Sequence, residues 1–432
     1  MIVSLFLEQL LVSLVGMADV FVVGFTGEAN ISGVSLVNAF NIIFINMFTA
    51  LAAGGAVVIS QYIGRKENDH AGEAASQLLT AAALFSVIST IVILWFREPL
   101  LRLTFGRVED DVMAACMTYL RISAYSYPAL AVYNAGAALY RSFGKTSTTM
   151  YVSVISNIIN VIGNCIGVFV LHVGVAGVAW PSLISRTFSA VVITFLCFSR
   201  QNLVRYGRKQ IFCLDGILQK QILSIAVPNG MESGIFQLVK VALSSVVALF
   251  GTYQIAANGV AQSIWSVAAL VCVAMGPAFI TVIGQCMGAG NIAAAEHYFK
   301  KLMKITVIFA LIWNGLVFAL TPVIMKSYAL GDETKKLVII LVLCHNLFNA
   351  VAFPFADPLG KGLRATGDVK FTTAISLFTT IGVRLIFSVI FGIGLKMGVI
   401  GIAIAMCLDW SVRGIIFWFR FKSRKWEKYK VI

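Results

Sequence analysis

Long apolar stretches alternate with short polar segments along the whole chain. Each stretch exceeds the roughly 20 residues that a helix needs to cross about 30 Å of hydrocarbon. The apolar windows are 2–24, 32–59, 74–96, 113–140, 148–171, 173–199, 217–249, 255–287, 300–325, 337–363, 371–395 and 398–419. The pattern predicts twelve transmembrane helices, because windows this long do not fit the short alternating strands of a membrane barrel.

Composition agrees with this pattern. The chain has 432 residues, of which 59% are hydrophobic and only 12% are charged, and its mean hydropathy is +0.90. A soluble globular chain has about twice that share of charged residues. We therefore expect an all-α integral membrane protein.

The net charge of +14 is unevenly placed along the chain. With the N-terminus in the cytoplasm, the inside loops and the tail collect most of the basic residues, as in RKEND at 65–69 and FRFKSRKWEKYK at 419–430. This asymmetry follows the positive-inside rule and places both termini in the cytoplasm of a multi-pass cell-membrane protein. Contact with anionic headgroups accounts for the basic excess, so nucleic acid is not an expected partner.

The residues that usually carry catalysis or metal binding are dispersed. Eight cysteines occur singly, without a CxxC pair, and the four histidines are scattered. No phosphate loop, HExxH motif or nucleophile triad is present. We therefore expect that the protein is not an enzyme and that it has neither a metal site nor a cofactor.

The chain repeats itself internally. Shared glycines and polar loop residues recur at a shift of 224 or 223 residues, where similarity cannot come from apolar composition alone. The matching pairs include Glu8 and Glu232, Gly27 and Gly251, Gln61 and Gln285, Arg141 and Arg364, and Gly144 and Gly367. The twelve helices therefore form two six-helix lobes of equal orientation, related by an axis along the membrane normal.

The repeat sets the expected domain boundaries. Residues 1–198 form the first lobe, 199–216 a basic cytoplasmic linker, 217–421 the second lobe and 422–432 a basic tail. The seventh span is preceded by the polar lead ILQKQ, whereas the first span starts directly at Met1. Either the first lobe lacks its lead or the start codon is placed late.

Ionisable residues inside the first lobe need an explanation, because a charge near mid-bilayer costs about 2.5–3.5 kcal/mol. Asp19 and Glu8 lie on one face of the first span. Asn157, Asn160 and Asn164 form a polar stripe on the fifth span. An aspartate that faces this stripe could bind sodium or exchange a proton, whereas a plain interhelical hydrogen bond is the alternative.

The second lobe carries a second charged group. It consists of Glu232 and Lys240 on the seventh span, Asp357 and Lys361 on the tenth, and Arg384 on the eleventh. Asp357 and Lys361 are four residues apart and can pair. Prolines and glycines in FPFADPLGKG interrupt the tenth span, which only a protein-lined or wet cavity tolerates. We expect Glu232 and Asp357 to take part in ion coupling and the cations to pair with acids or line the substrate cleft.

Several of these segments, taken in order, resemble the multidrug and toxic compound extrusion (MATE) transporters. The segments are ADVFVVG at the end of the first span, QYIGRKEND and QCMGAGN after the second and eighth, and LYRSFGK and LRATGD after the fourth and tenth. The likeness covers nearly the whole chain.

The resemblance implies export of small organic, often cationic, compounds in exchange for protons or sodium. Members of the family use an aspartate in the first helix with an asparagine and an aspartate in the fifth. Asp19 and Asn160 match two of these positions, and Asn164 replaces the second aspartate. Other members use acids on helices seven and ten, which Glu232 and Asp357 resemble.

We therefore expect a monomeric secondary antiporter that works by alternating access, with an organic small molecule as substrate and membrane lipid as its surroundings. The alternative is a flippase for a lipid-linked sugar or another amphipathic lipid. The basic side chains favour the flippase, and the count of twelve spans opposes it. A membrane-embedded enzyme or a passive channel fits the pattern less well.

Overall fold

The computed structural model describes residues 1–106, 109–326 and 330–432, and within these ranges the chain is helical without strands. The helices before the linker are α1 (Ile2–Val23), α2 (Glu28–Gly64), α3 (Asn68–Phe105), α4 (Asp110–Tyr125), α5 (Tyr127–Ser142), α6 (Thr146–Cys165) and α7 (Ala176–Cys197). The remaining helices are α8 (Arg208–Phe212), α9 (Gly216–Ala248), α10 (Thr252–Ala268), α11 (Leu270–Gly288), α12 (Ile292–Lys326), α13 (Asp332–Val351), α14 (Phe353–Ala356), α15 (Pro358–Ala365), α16 (Val369–Phe378), α17 (Ile386–Val389) and α18 (Val399–Lys422).

The prediction of an all-α membrane protein is confirmed. Within the described ranges, 11 helices are long and apolar enough to cross a membrane, and each matches one predicted span. Two of them combine several elements: Thr252–Gly288 consists of α10 and α11, and Val369–Gly394 includes α16 and α17. The fourth predicted span, 113–140, is formed by α4 and α5 together. These two helices meet at Ser126, just before Pro128. Because a proline ring fits the first turn of a helix, the second helix can begin there.

The tenth span is interrupted as its prolines predict. The helix stops at Ala352, restarts as the short α14, stops again at Asp357 and continues as α15. Pro354 and Pro358 each occupy a first-turn position, where the missing N–H of proline removes no helical hydrogen bond. The carboxylate of Asp357 is therefore held at a break in the helix.

Further departures from the α-helix occur close to polar residues. A π-helical segment over Ile166–Val170 follows α6 and its asparagines. In the eleventh span, π-helical segments cover Thr379–Leu385 and Ile390–Gly394, and the first of them carries Arg384. Such wide turns rotate the following side chains relative to a regular helix, and they are frequent at functional sites.

The chain divides into two compact units, Val3–Gly230 and Met231–Ile432, which we call the N-terminal and C-terminal units. Repeat-equivalent glycines show how similarly the two units are built. Gly27 precedes α2 with a φ of 108°, and Gly251 precedes α10 with a φ of 90°. A side chain is strained at such angles, so both helices start at a glycine. The predicted lobe boundaries at 198 and 217 stay a prediction.

The segment between α7 and α9 is attached to the N-terminal unit. Gln77 of α3 donates through Nε2 to the backbone oxygens of Gln210 at 2.8 Å and Cys213 at 2.6 Å. The Thr80 hydroxyl donates to the Ile211 oxygen at 2.8 Å. Side chains of α3 thus donate hydrogen bonds to carbonyls at the end of the short helix α8, which have no further helical turn to pair with.

Candidate functional site

A cavity of about 300 Å³ lies inside the N-terminal unit, and we call it the Asp19 cavity. Helices α1, α6 and α7 supply most of its walls. Its polar lining includes Asp19, Tyr133, Asn157, Asn160, Ser182 and Arg186. Four further serines from α6 and α7 complete that polar surface. A membrane-spanning helix bundle has no structural need for so polar an interior, so this cavity is the candidate site.

Asp19 ends a chain of hydrogen bonds that crosses the cavity wall. The Asn164 amide donates through Nδ2 to Asp19 Oδ1 at 2.5 Å and to Asn160 Oδ1 at 3.0 Å. Asn160 in turn donates through Nδ2 to the Ser182 hydroxyl at 3.0 Å. The structure thus brings Asp19 together with the asparagine stripe, whose spacing of three and four residues places it on one face of α6.

The orientation of the two amides decides what surrounds the carboxylate. Asn164 is 1% exposed and presents its N–H group, not its oxygen, to Asp19. The Asn160 oxygen is occupied by the same N–H donor. A hard cation such as sodium binds to oxygen ligands. In this arrangement Asn164 offers the Asp19 carboxylate a hydrogen-bond donor and not an oxygen ligand.

Arg186 of α7 is a part of the cavity that the sequence analysis missed. It is half-buried and donates through Nη1 to the Ser126 hydroxyl at 2.7 Å. Within the described residues, Asp19 has no salt bridge, and Asp19 and Arg186 are the two charged members of the lining. An arginine in the middle of an apolar span was a sequence signal equal to that of Asp19.

Glu8 belongs to a paired cluster that meets the Asp19 cavity at Tyr133. Its side chain is 5% exposed and accepts hydrogen bonds from Arg141 at 2.7 Å, Thr149 at 3.1 Å and Tyr133 at 3.2 Å. Both carboxylate oxygens have partners. This geometry is that of a structural ion pair, because a buried charge is tolerated when it is paired and hydrogen-bonded.

The C-terminal unit repeats that ion pair. Glu232 forms a salt bridge with Arg364, and the Arg364 Nε donates to the Thr372 hydroxyl at 3.3 Å. Glu232, Arg364 and Thr372 follow Glu8, Arg141 and Thr149 by 224, 223 and 223 residues. The partner of Glu232 is therefore Arg364, and not Lys240 beside it on α9.

The remaining predicted residues lie at two further places. Lys361 donates through Nζ to Asp357 Oδ2 at 2.8 Å, the pairing that their spacing allows. Lys240 and Arg384 instead line a smaller cavity of about 70 Å³, which we call the Lys240 cavity. The group of charges predicted for the second lobe is thus divided among an ion pair at Glu232, an ion pair at Asp357 and this second cavity.

A duplicated bundle of apolar helices with a charged, hydrogen-bonded cavity in its spans defines a membrane transporter rather than an enzyme. The family follows from the sequence comparison. The MatE family model matches residues 4–166 and 228–390, so the chain belongs to the MATE family of ion-coupled transporters. The two matches begin 224 residues apart, the shift found within the sequence.

Relatives and solved structures agree with this assignment. The chain is 26% identical to an uncharacterized transporter of Bacillus subtilis, YisQ, over 98% of this chain and 93% of that protein. It is 23% identical to the probable multidrug resistance protein NorM of Thermotoga maritima, over 98% and 91% of the two chains. An outward-facing multidrug resistance MATE family transporter has the same fold, with a TM-score of 0.92, 20% identity and coverage of 98% and 94%.

Proposed function

We propose that this protein is a proton-coupled antiporter that exports organic cations, with Asp19 as the coupling residue. The supporting observation is a carboxylate in a membrane span that lines a cavity and accepts a hydrogen bond from an amide instead of pairing with a base. Such a group can change its charge during a transport cycle, whereas the ion-paired Glu8 cannot do so cheaply.

The charges of the cavity suggest how proton and substrate exclude each other. With Asp19 ionised, its charge balances that of Arg186 and the cavity accepts a cationic group. Once Asp19 is protonated, Arg186 supplies the remaining charge of the lining and repels the cation. Proton and substrate then weaken each other's binding, as reciprocal linkage requires of an antiporter.

Size and energy fit this role. The cavity of about 300 Å³ lies at the lower limit of pockets for small organic ligands. One charge that moves through about 100 mV supplies about 2.3 kcal/mol, enough for a gradient of roughly fiftyfold. We favour protons over sodium because the neighbouring Asn164 amide presents its NH2 group to the carboxylate, whereas sodium prefers oxygen ligands. Both termini are placed in the cytoplasm by the positive-inside rule.

The test is uptake of a fluorescent organic cation into proteoliposomes under separate pH and sodium gradients. We expect the pH gradient to drive uptake and the sodium gradient to leave it at the level of protein-free vesicles. Asp19→Asn keeps the size of the side chain and removes its charge, so pH-driven uptake should disappear while the protein remains folded. Asp69→Asn makes the same change at an exposed site and should transport as the wild type does.

Two results would contradict the proposal. Full pH-driven uptake by Asp19→Asn would remove Asp19 from the coupling step. Uptake driven by sodium alone, and lost in the same variant, would keep the residue and change the ion.

A further inference from the structure

Four basic or aromatic side chains with nitrogen atoms line the Lys240 cavity in the C-terminal unit, beside Ser244, Asn258, Gln262 and several apolar residues. Lys240 comes from α9, Trp265 from α10, His345 from α13 and Arg384 from the π-helical segment 379–385. Four separate parts of the unit thus contribute nitrogen-bearing side chains to the lining of one small cavity. Within the described residues, no acidic side chain belongs to the lining.

Several of these nitrogens have no partner. His345 is 1% exposed, and neither of its ring nitrogens has a hydrogen bond. The Trp265 Nε1 and the Arg384 Nη1 are likewise buried without a hydrogen-bond acceptor. An unsatisfied buried donor costs about 1–3 kcal/mol, and more when it is charged. A cavity wall with such donors on three of its elements is built to receive an acceptor.

The charges around the cavity do not balance. Asp409 is the nearby carboxylate, and it pairs with Arg413 at 2.7 Å while the Arg384 Nη1 lies 3.9 Å away. Lys240 has no ion pair within the described part of the chain. The cations Lys240, Arg384 and Arg413 thus have a single nearby acid, Asp409, among them. The other acids in the spans of this unit, Glu232 and Asp357, already have their own partners.

Arg384 is 8% exposed, whereas Lys240 is exposed at the mouth of the cavity. A buried positive charge is costly unless an anion accompanies it. The dimensions limit what that anion can be. A volume of about 70 Å³ holds a few water molecules, far less than the pocket of a drug-sized ligand. It can accommodate a chloride ion or one carboxylate group, but not a complete organic molecule.

We propose that the Lys240 cavity is a binding site for a monovalent anion, held by Lys240 and Arg384 with hydrogen bonds from His345 and Trp265. The occupant is either chloride or the carboxylate group of an organic compound whose remainder stays outside the cavity. Because this site lies within one unit and needs no gradient, its test is independent of cation antiport at Asp19.

Chloride binding is measured with the purified full-length protein in detergent by the excess line width of the ³⁵Cl resonance. We expect broadening by the wild-type protein that saturates with chloride. Lys240→Gln and Arg384→Gln should each lose most of the excess width. Lys301→Gln removes one exposed charge of the same protein and should keep the wild-type width. Lys240→Gln is the main variant, since Lys240 has no partner whose loss would unfold the protein.

Two further measurements identify the occupant and its position. Displacement of chloride by sodium acetate assigns a carboxylate-accepting site, and no displacement assigns a halide site. Either result supports an anion site. Crystals grown with bromide should show an anomalous peak between Lys240 and Arg384. The proposal is overturned if both cavity variants broaden the resonance as Lys301→Gln does, or if bromide is absent from the cavity.

Discussion

The Asp19 cavity and the Lys240 cavity occupy equivalent positions in the two repeats but carry opposite chemistry. Each of five lining positions of the first corresponds, 224 residues later, to a lining position of the second. The pairs are Val12 and Phe236, Gly16 and Lys240, Asp19 and Leu243, Asn160 and Arg384, and Ser182 and Met406. An acid has become a leucine, while a glycine and an asparagine have become cations.

The difference shows which charges the fold needs. The Glu8–Arg141 pair recurs as Glu232–Arg364, so the repeat has kept it through the divergence of the two halves. At the cavity positions, by contrast, one acid has been lost and two cations have been gained. We infer that the paired acids stabilise the bundle and that the cavity residues determine what each unit binds.

The largest effect should follow from breaking the repeated ion pairs. Glu8→Gln and Glu232→Gln should each lower the free energy of unfolding by about 3 kcal/mol, because each leaves a half-buried arginine without its counter-charge. Thermal unfolding of the purified variants measures this loss. Asp19→Asn is the matched control and should stay close to the wild type. Equal stability of all three would show that the repeated pairs do not hold the fold.

A smaller effect should follow from placing an acid in the Lys240 cavity. Leu243→Asp introduces at the Asp19-equivalent position a carboxylate that can pair with Lys240 or Arg384. It should weaken chloride binding about hundredfold, because a like charge then competes with the anion. Leu243→Asn changes the shape equally without charge and should retain most of the binding. If both variants bind chloride alike, charge does not distinguish the two cavities.

The smallest effect should follow from Arg186→Gln in the Asp19 cavity. Removal of this cation leaves Asp19 as the charged residue of the lining, so the KM for an organic cation should fall about tenfold. Uptake kinetics in proteoliposomes measure the change. Arg121→Gln, at an exposed position of α4, serves as the control. An unchanged KM would mean that the substrate does not sense Arg186.

Much of the fold could be predicted from the sequence, because membrane spans are read from the length of apolar windows alone. The division of one span into α4 and α5 was missed, although Pro128 marked it. The contact between Asp19 and the asparagines of the fifth span could be predicted, since a polar stripe inside the membrane needs a polar partner. The direction of the Asn164 amide could not be predicted from the sequence, because it depends on which neighbours compete for its N–H groups.

The charged residues of the second lobe show more clearly which contacts sequence spacing cannot predict. Sequence spacing predicts contacts between residues on one helix, as for Asp357 and Lys361, but not between helices. The Glu232–Arg364 contact spans 132 positions. Its signal was nevertheless present, because both of its residues repeat Glu8 and Arg141. Arg186 carries neither signal, since its repeat-equivalent is Trp410 and no charged residue lies three or four positions away on its helix.

Trp426, near the end of the chain, belongs to the interior of the C-terminal unit. It is 0% exposed, packs against Phe299 and Phe421 and donates through Nε1 to the Phe421 oxygen at 2.9 Å. The buried Trp426 side chain therefore holds the basic tail against the C-terminal unit. A recombinant version trimmed at Lys422 would leave a hole beside Phe299, so an affinity tag at this end should follow the tail and not replace it.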